Sequence, residues 1–334
     1  MKIIILNILL LTGLTSCHGQ KSFGTNLLQF EKVIEMPGVS GRIDHMSINL
    51  KAQIVYVAAL GNNSVEVIDL QKGSVIHSIK GLNEPQGVAY IPEHNEIIVA
   101  NGGNGNCVFY NAATFAIITT LHLSGDADNI RYNASDAKIY VGYGNGGIAV
   151  IDAATHKQIG DVRLPAHPES FQIDKKNNLL FVNLPDANSI AVIDIKDLKV
   201  INTWKINNLK ANFAMALDTA DNHVIIAYRH PAILVAYDNK TGKEITRTDL
   251  VSDADDVFYY EMKQQVFASG GGGSINIFKK DNGNTYKKVA NIPARSGART
   301  SLLIPSLQTF ILAERANGSK GAAIAVYKIV DTNK

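Results

Sequence analysis

Two stretches of the sequence nearly repeat one another. Tyr56-Val57-Ala58 leads on to Asn63-Ser64-Val65-Glu66-Val67-Ile68-Asp69, and Phe181-Val182-Asn183 leads on to Asn188-Ser189-Ile190-Ala191-Val192-Ile193-Asp194. Each reads as a strand, a turn rich in Gly, Asn or Pro-Asp, a second alternating strand and an aspartate. Self-similarity at a fixed period restricts a chain to repeat architectures, in which each unit buries its apolar surface against its neighbours.

The period follows from one anchor per repeat, taken in the strand that opens the phrase: Tyr56, Ile98, Tyr140, Phe181, Ile225, Phe267 and Ile311, spaced 42, 42, 41, 44, 42 and 44 residues apart. A short strand precedes each anchor (Gly87-Val88-Ala89-Tyr90, for example), and a more polar strand such as Glu244-Ile245-Thr246-Arg247-Thr248 closes the unit. No segment keeps a 3.6-residue apolar period for three turns, which argues against helical repeats. Four strands per unit and seven units predict an all-β, seven-bladed β-propeller with four-stranded antiparallel blades. The last unit, from Thr300 to Val330, has room for three strands. The missing outer strand is expected from the amino end, Leu28 to Ile34, closing the ring and removing free sheet edges.

The phrase resembles the YVTN-type β-propeller repeat found in many exported bacterial proteins. The match is sharp in the first and fourth units and good in the third, where Tyr140-Val141-Gly142 leads to Ile148-Ala149-Val150-Ile151-Asp152. In the second, sixth and seventh units the closing aspartate is replaced by Asn111, Lys279 and Lys328. The resemblance implies the fold far more than an activity.

The amino terminus reads differently. Lys2 precedes an apolar run from Ile3 to Leu14 that is too short to span a bilayer, as in a secretory signal. Leu14-Thr15-Ser16-Cys17 resembles the bacterial lipobox, which implies lipidation at Cys17 and leaves the membrane contact to the lipid alone; an ordinary signal peptide with an incidental cysteine is the alternative. The expected organisation is a signal over 1–16, a tether over 17–26 and one propeller over 27–331. Cys107 is then the one other cysteine, so a disulfide within the mature chain is excluded, and it is expected as a small half-buried strand residue. A net charge of +2 without a basic stripe argues against nucleic acid. A monomer is expected.

In a propeller the innermost strands begin around one mouth of the central channel. The residues twelve before each anchor are Asp44, Gln86, Asp128, Glu169, Phe213, Asp255 and Arg299, and the next layer includes His45, Asn129 and Asp256. With Arg42 just upstream, these form the candidate ligand-binding set. Like charges at about 4 Å repel by about 1 kcal/mol even in water, so a ring rich in carboxylates needs cations, raised pKa values or neighbouring arginines. Oxygen donors favour Ca2+ or Mg2+ over zinc, with Asp44, Glu169 and Asp255 as candidate ligands. His45 and His167 each stand next to or near a carboxylate and are candidate general bases. Exported propellers that act as lactonases or lyases resemble this plan. Three readings follow: a small ligand or protein partner bound at the mouth, a metal-assisted hydrolase or lyase, or a structural surface protein whose mouth is merely solvated. Phosphate-cradling, zinc-protease, serine-elbow and c-type haem motifs are absent from the sequence.

Overall fold

The computed structural model describes residues 27–330; the expected signal, Cys17 and tether lie outside the described residues. Twenty-eight strands form seven antiparallel four-stranded sheets, and helix among the described residues is confined to three 3₁₀ turns. Blade 1 comprises β2 (Met46–Asn49), β3 (Ile54–Ala59), β4 (Ser64–Asp69) and β5 (Ser74–Lys80), and the following blades repeat that order. All seven anchors lie in the second strand of their blade and are buried. The seventh blade runs from β1 (Leu28–Glu35) through β28 (Ala323–Ile329) and β27 (Thr309–Glu314) to β26 (Ser301–Ile304), with β1 antiparallel to β28, so the amino-terminal strand closes the ring as expected.

The core explains why the middle strands are apolar throughout. Alternate side chains of a strand point to opposite faces of its sheet, and here each face packs on a different neighbouring blade. Val55 and Val57 of β3 join Ile311 of blade 7 and Ile34 of β1, whereas Tyr56 joins Val99 and Ile97 of blade 2. Seven such clusters fill the seven blade interfaces. Cys107 is fully buried in one of them rather than half-buried, and burial pushes its thiol up to about 12.

The recurrent aspartate is a turn device. Asp194 Oδ1 accepts the N–H groups of Lys196 at 2.8 Å and Asp197 at 3.0 Å, and Asp69 holds Gln71 and Lys72 in the same way. A short side-chain acceptor satisfies the donors of the turn after the third strand, an Asx turn. Asn111 substitutes for the aspartate in blade 2, accepting from Ala113 and Thr114. In blade 6 the acceptor moves to Asp281, which takes the N–H groups of Gly283 and Thr285.

Candidate functional site

The innermost strands of blades 1 to 6 start with an irregularity that decides what the channel mouth contains. Asp44 N–H donates to the Ala58 carbonyl at 2.7 Å, while Ala58 N–H donates back to the His45 carbonyl at 3.0 Å, so two residues oppose one. Asp128 and Asn129 face Gly142 in this way, and Glu169 and Ser170 face Asn183. In blades 2, 5 and 6 the pairing skips Gln86, Phe213 and Asp255. A β-bulge of this kind re-aims a side chain out of the ladder. The bulged residue is the one twelve before the anchor, and all seven residues of that layer line one cavity of about 280 Å³ at the mouth.

Arg42, His45, Asn129 and His167 line the same cavity, so the candidate set assembles with one exception. Asp256 lies one layer deeper, with Oδ1 3.8 Å from His45 Nδ1, because the bulge turns Asp255 to the mouth and its neighbour away. At the ends of the second strands, Arg229 enters the cavity; Tyr228 is buried with its hydroxyl bonded to Tyr237, and Tyr143 bonds Asp161. The inner strands approach closely where Gly87 follows its bulge: a Cβ there would lie 2.0 Å from the Asp128 carbonyl oxygen.

Charge is unevenly distributed around the ring. Arginines project from blades 5 and 7 and from the loop before blade 1. Arg42 Nη2 donates to Asp44 Oδ2 at 2.6 Å, and Asp255 lies between Arg229, in a short ion pair, and Arg299, whose Nε is 2.9 Å away. The Arg229 guanidinium also lies 3.8 Å from the centre of the Phe213 ring, a cation–π contact. Blades 3 and 4 supply Asp128, Glu169 and His167, with no arginine of their own at the mouth. His167 Nδ1–H donates to the Gly144 carbonyl at 2.6 Å, which turns Nε2 toward Asp128 Oδ2 at 3.9 Å, and His45 Nε2 stands 3.8 Å from Asp128 Oδ1.

Protonation follows from these contacts. Burial alone would raise Asp128, but the two histidines outweigh it and hold this carboxyl below the usual range. Burial, and then repulsion by Asp128, pushes Glu169 up to about 8. Burial likewise raises Asp44 to about 7 against the pull of His45 and Arg42. Burial would lower His167, yet Asp128, the Gly144 carbonyl and Asp126 raise it to about 9; His45 is raised against burial by Asp44, Asp256 and Asp128. At neutral pH the cavity therefore holds an ionised Asp128 beside a protonated Glu169 and a cationic His167.

Three buried acceptors of this cavity's lining have no hydrogen bond among the described residues: Asp128 Oδ1, Asn129 Oδ1 and Asp255 Oδ2, of which only Asp255 Oδ2 has a guanidinium, that of Arg299, against it. Such groups cost about 1–3 kcal/mol each unless something donates to them. Among the described residues no three His, Cys, Asp or Glu side chains form a group that could hold a metal ion. The reason is visible for two of the three carboxylates considered as ligands, since Asp44 and Asp255 are taken up by guanidinium groups.

A family model described as the choice-of-anchor I domain matches residues 74–246. No curated protein matches the sequence. Among solved structures, a chain from a crystal structure of the mitotic checkpoint complex is 17% identical with a TM-score of 0.76, covering 99% of this chain and 100% of its own. A chain of the Kuenenia stuttgartiensis hydrazine synthase is 14% identical with a TM-score of 0.74, covering 84% of this chain and 96% of its own. At these identities the likeness is one of fold. The resemblance to the YVTN-type repeat holds at the coarser level of a seven-bladed propeller.

Proposed function

The chain belongs to the choice-of-anchor I domain family, and from that membership and the chemistry of the mouth we propose an exported propeller that binds a small polar molecule at its channel mouth. The observation that carries this reading is the pair of donorless buried oxygens, Asp128 Oδ1 and Asn129 Oδ1, in a cavity of about 280 Å³. Buried acceptors of this kind call for a partner with N–H or O–H groups, such as an amine or a polyol. The arginines on the other side suit an anionic group on the same molecule. The cavity volume fits a compound of amino-acid or hydroxy-acid size, which favours a small ligand over a protein segment.

The test is a thermal-shift and calorimetric screen of the mature domain against amines, polyols, amino acids and hydroxy acids. At least one class should raise the melting temperature, and Asn129→Ala should weaken that ligand about tenfold. No response from any class would remove the reading. The word anchor in the family's name supports placement at the cell surface or outside the cytoplasm. Leu14-Thr15-Ser16-Cys17 supports a lipid at Cys17 as the attachment. Labelling with a palmitate analogue should mark the wild-type protein, and label on Cys17→Ser would refute the anchor.

One observation favours a second reading. Asp128 held low and Glu169 raised to about 8, in one cavity with His167, form an acid and a base at the same pH. Hydrolase or lyase chemistry on a bound ligand would use that split, with Glu169 as acid and His45 or His167 passing the proton. Lactone turnover abolished by Glu169→Gln would support this reading over simple binding.

A further inference from the structure

Below His45 the channel changes character. A second cavity of about 390 Å³ is lined by Tyr90, Tyr132, Phe258, Leu302, Arg131 and Gln172. It reaches toward the opposite face, where the Tyr132 hydroxyl donates to Glu93 Oε2 at 2.7 Å and the Tyr90 hydroxyl donates to Asn95 Oδ1 at 2.9 Å, both in the exposed turn between the first two strands of blade 2. Rings and aliphatic side chains make up much of this wall, whereas the mouth above is polar apart from Phe213.

Arg131 is the charged group of this cavity that makes no direct ion pair, with Asp256 and Asp128 as the nearest opposite charges that act on it. Its Nη1 donates to the carbonyl of the adjacent Ile130 at 2.8 Å, and its guanidinium lies 5.5 Å from the centre of the Phe171 ring. It forms no ion pair among the described residues. Asp256 is engaged elsewhere, accepting from Ser301 N–H at 2.7 Å and facing His45 at 3.8 Å. Ser47 Oγ accepts from Tyr90 N–H at 3.0 Å, which leaves the Ser47 hydroxyl proton for another acceptor in the same wall. A half-buried guanidinium with a planar fork of donors, a free hydroxyl and three aromatic rings make a site with one anionic point and an apolar body.

We propose that this lower cavity is a second binding site, for a small aromatic carboxylate whose carboxyl group pairs with Arg131 and Ser47 and whose ring packs among Tyr90, Tyr132 and Phe258. A single guanidinium beside Asp256 suits a monoanion better than a phosphate, whose second charge would be repelled by that carboxylate. The site is independent of the mouth: its ligand needs no contact above His45.

The experiment is ligand-observed NMR and calorimetry on the mature protein with phenylacetate, and with phenylacetamide as its neutral counterpart. Phenylacetate should bind, phenylacetamide about tenfold or more weakly. Arg131→Gln should abolish the difference between the two, Tyr132→Leu should weaken both, and Asn129→Ala at the mouth should not weaken phenylacetate. Absence of phenylacetate binding, equal affinity for the amide in the wild type, or loss of binding in Asn129→Ala would overturn the proposal. Should Arg131→Gln fail to fold, the acid–amide comparison in the wild type and the Tyr132→Leu variant decide it.

Discussion

His167 Nε2 stands 3.9 Å from Asp128 Oδ2 while its Nδ1–H donates to the Gly144 carbonyl. The backbone bond fixes the ring, so Nε2 faces Asp128 while Nδ1 lies 3.6 Å from Asp126 Oδ2. Burial raises Glu169, and the ionised Asp128 adds its repulsion, so Glu169 keeps its proton to about 8. The protonation states of three residues thus form one arrangement.

That arrangement makes stability depend on pH with a definite sign. His167 goes from an ordinary 6.5 to about 9, and Glu169 from 4.5 to about 8, so the folded protein holds both protons more tightly than the unfolded chain. The stability tied to a raised pKa is full below the unfolded value and is lost as pH rises through the folded one. Asp128, shifted down, acts oppositely but below about pH 4. Denaturation free energy should therefore fall between pH 5 and 9. Glu169→Gln should flatten the slope between pH 5 and 8 and should exceed wild type at pH 9 by on the order of a few kcal/mol. Urea denaturation across this range measures it, and an unchanged slope in the variant would exclude Glu169 as its source.

Asp128→Asn removes the counter-charge shared by His45 and His167. Both histidines should then titrate lower, His167 by about one unit or more, as followed by histidine proton NMR. Leaving two imidazoles without their partner should cost about 3 kcal/mol near pH 6, where they remain charged. A His167 titration that stays near 9 in this variant would show that the Gly144 carbonyl and Asp126 hold the proton instead.

The closing aspartate offers a test of the repeat. Asn111 performs its task in blade 2 through Ala113 N–H at 2.9 Å and Thr114 N–H at 3.0 Å. Asn111→Ala should cost about 1 kcal/mol, whereas Asn111→Asp should be close to neutral, since either side chain supplies the oxygen. Equal destabilisation by both would mean that packing, not the turn bonds, determines the residue.

Blade number, closure by Leu28–Glu35 and the mouth layer were all legible because a propeller repeats one register, and a residue counted twelve back from an anchor occupies the same height in every blade. What could not be read was the handedness of each bulge residue. Nothing in Asp255-Asp256 says which carboxylate turns to the mouth; the bulge in β22 (Ala254–Tyr260) opposite Gly270 and Ser269 does. The role of Arg229 is not legible in the sequence, because its salt bridges to Asp253 and Asp255 join residues about 25 positions apart. Arg131 escaped because it lies below the two layers counted, although a lone charge in Ile130-Arg131-Tyr132 was a usable signal.

Backbone strain gathers just ahead of the bulges. Fourteen residues before the anchors of blades 2, 3, 5 and 6 stand Glu84, Asp126, Ala211 and Asp253, all with positive φ, and Gly297 takes this place in blade 7. The left-handed conformation costs an L-residue about 1–2 kcal/mol, and alanine has no side-chain polar group to offset it. Ala211, at φ +60°, precedes the Phe213 bulge that supports Arg229. Ala211→Gly should remove the strain, partly offset by the greater freedom glycine gives the unfolded chain, for a net gain of up to about 1 kcal/mol. Ala211→Val should lose more than that, because a β-branched side chain fits this conformation worse. Thermal denaturation of the two variants measures both. If glycine destabilised the domain, the packing of the Ala211 methyl group would outweigh the strain at this turn.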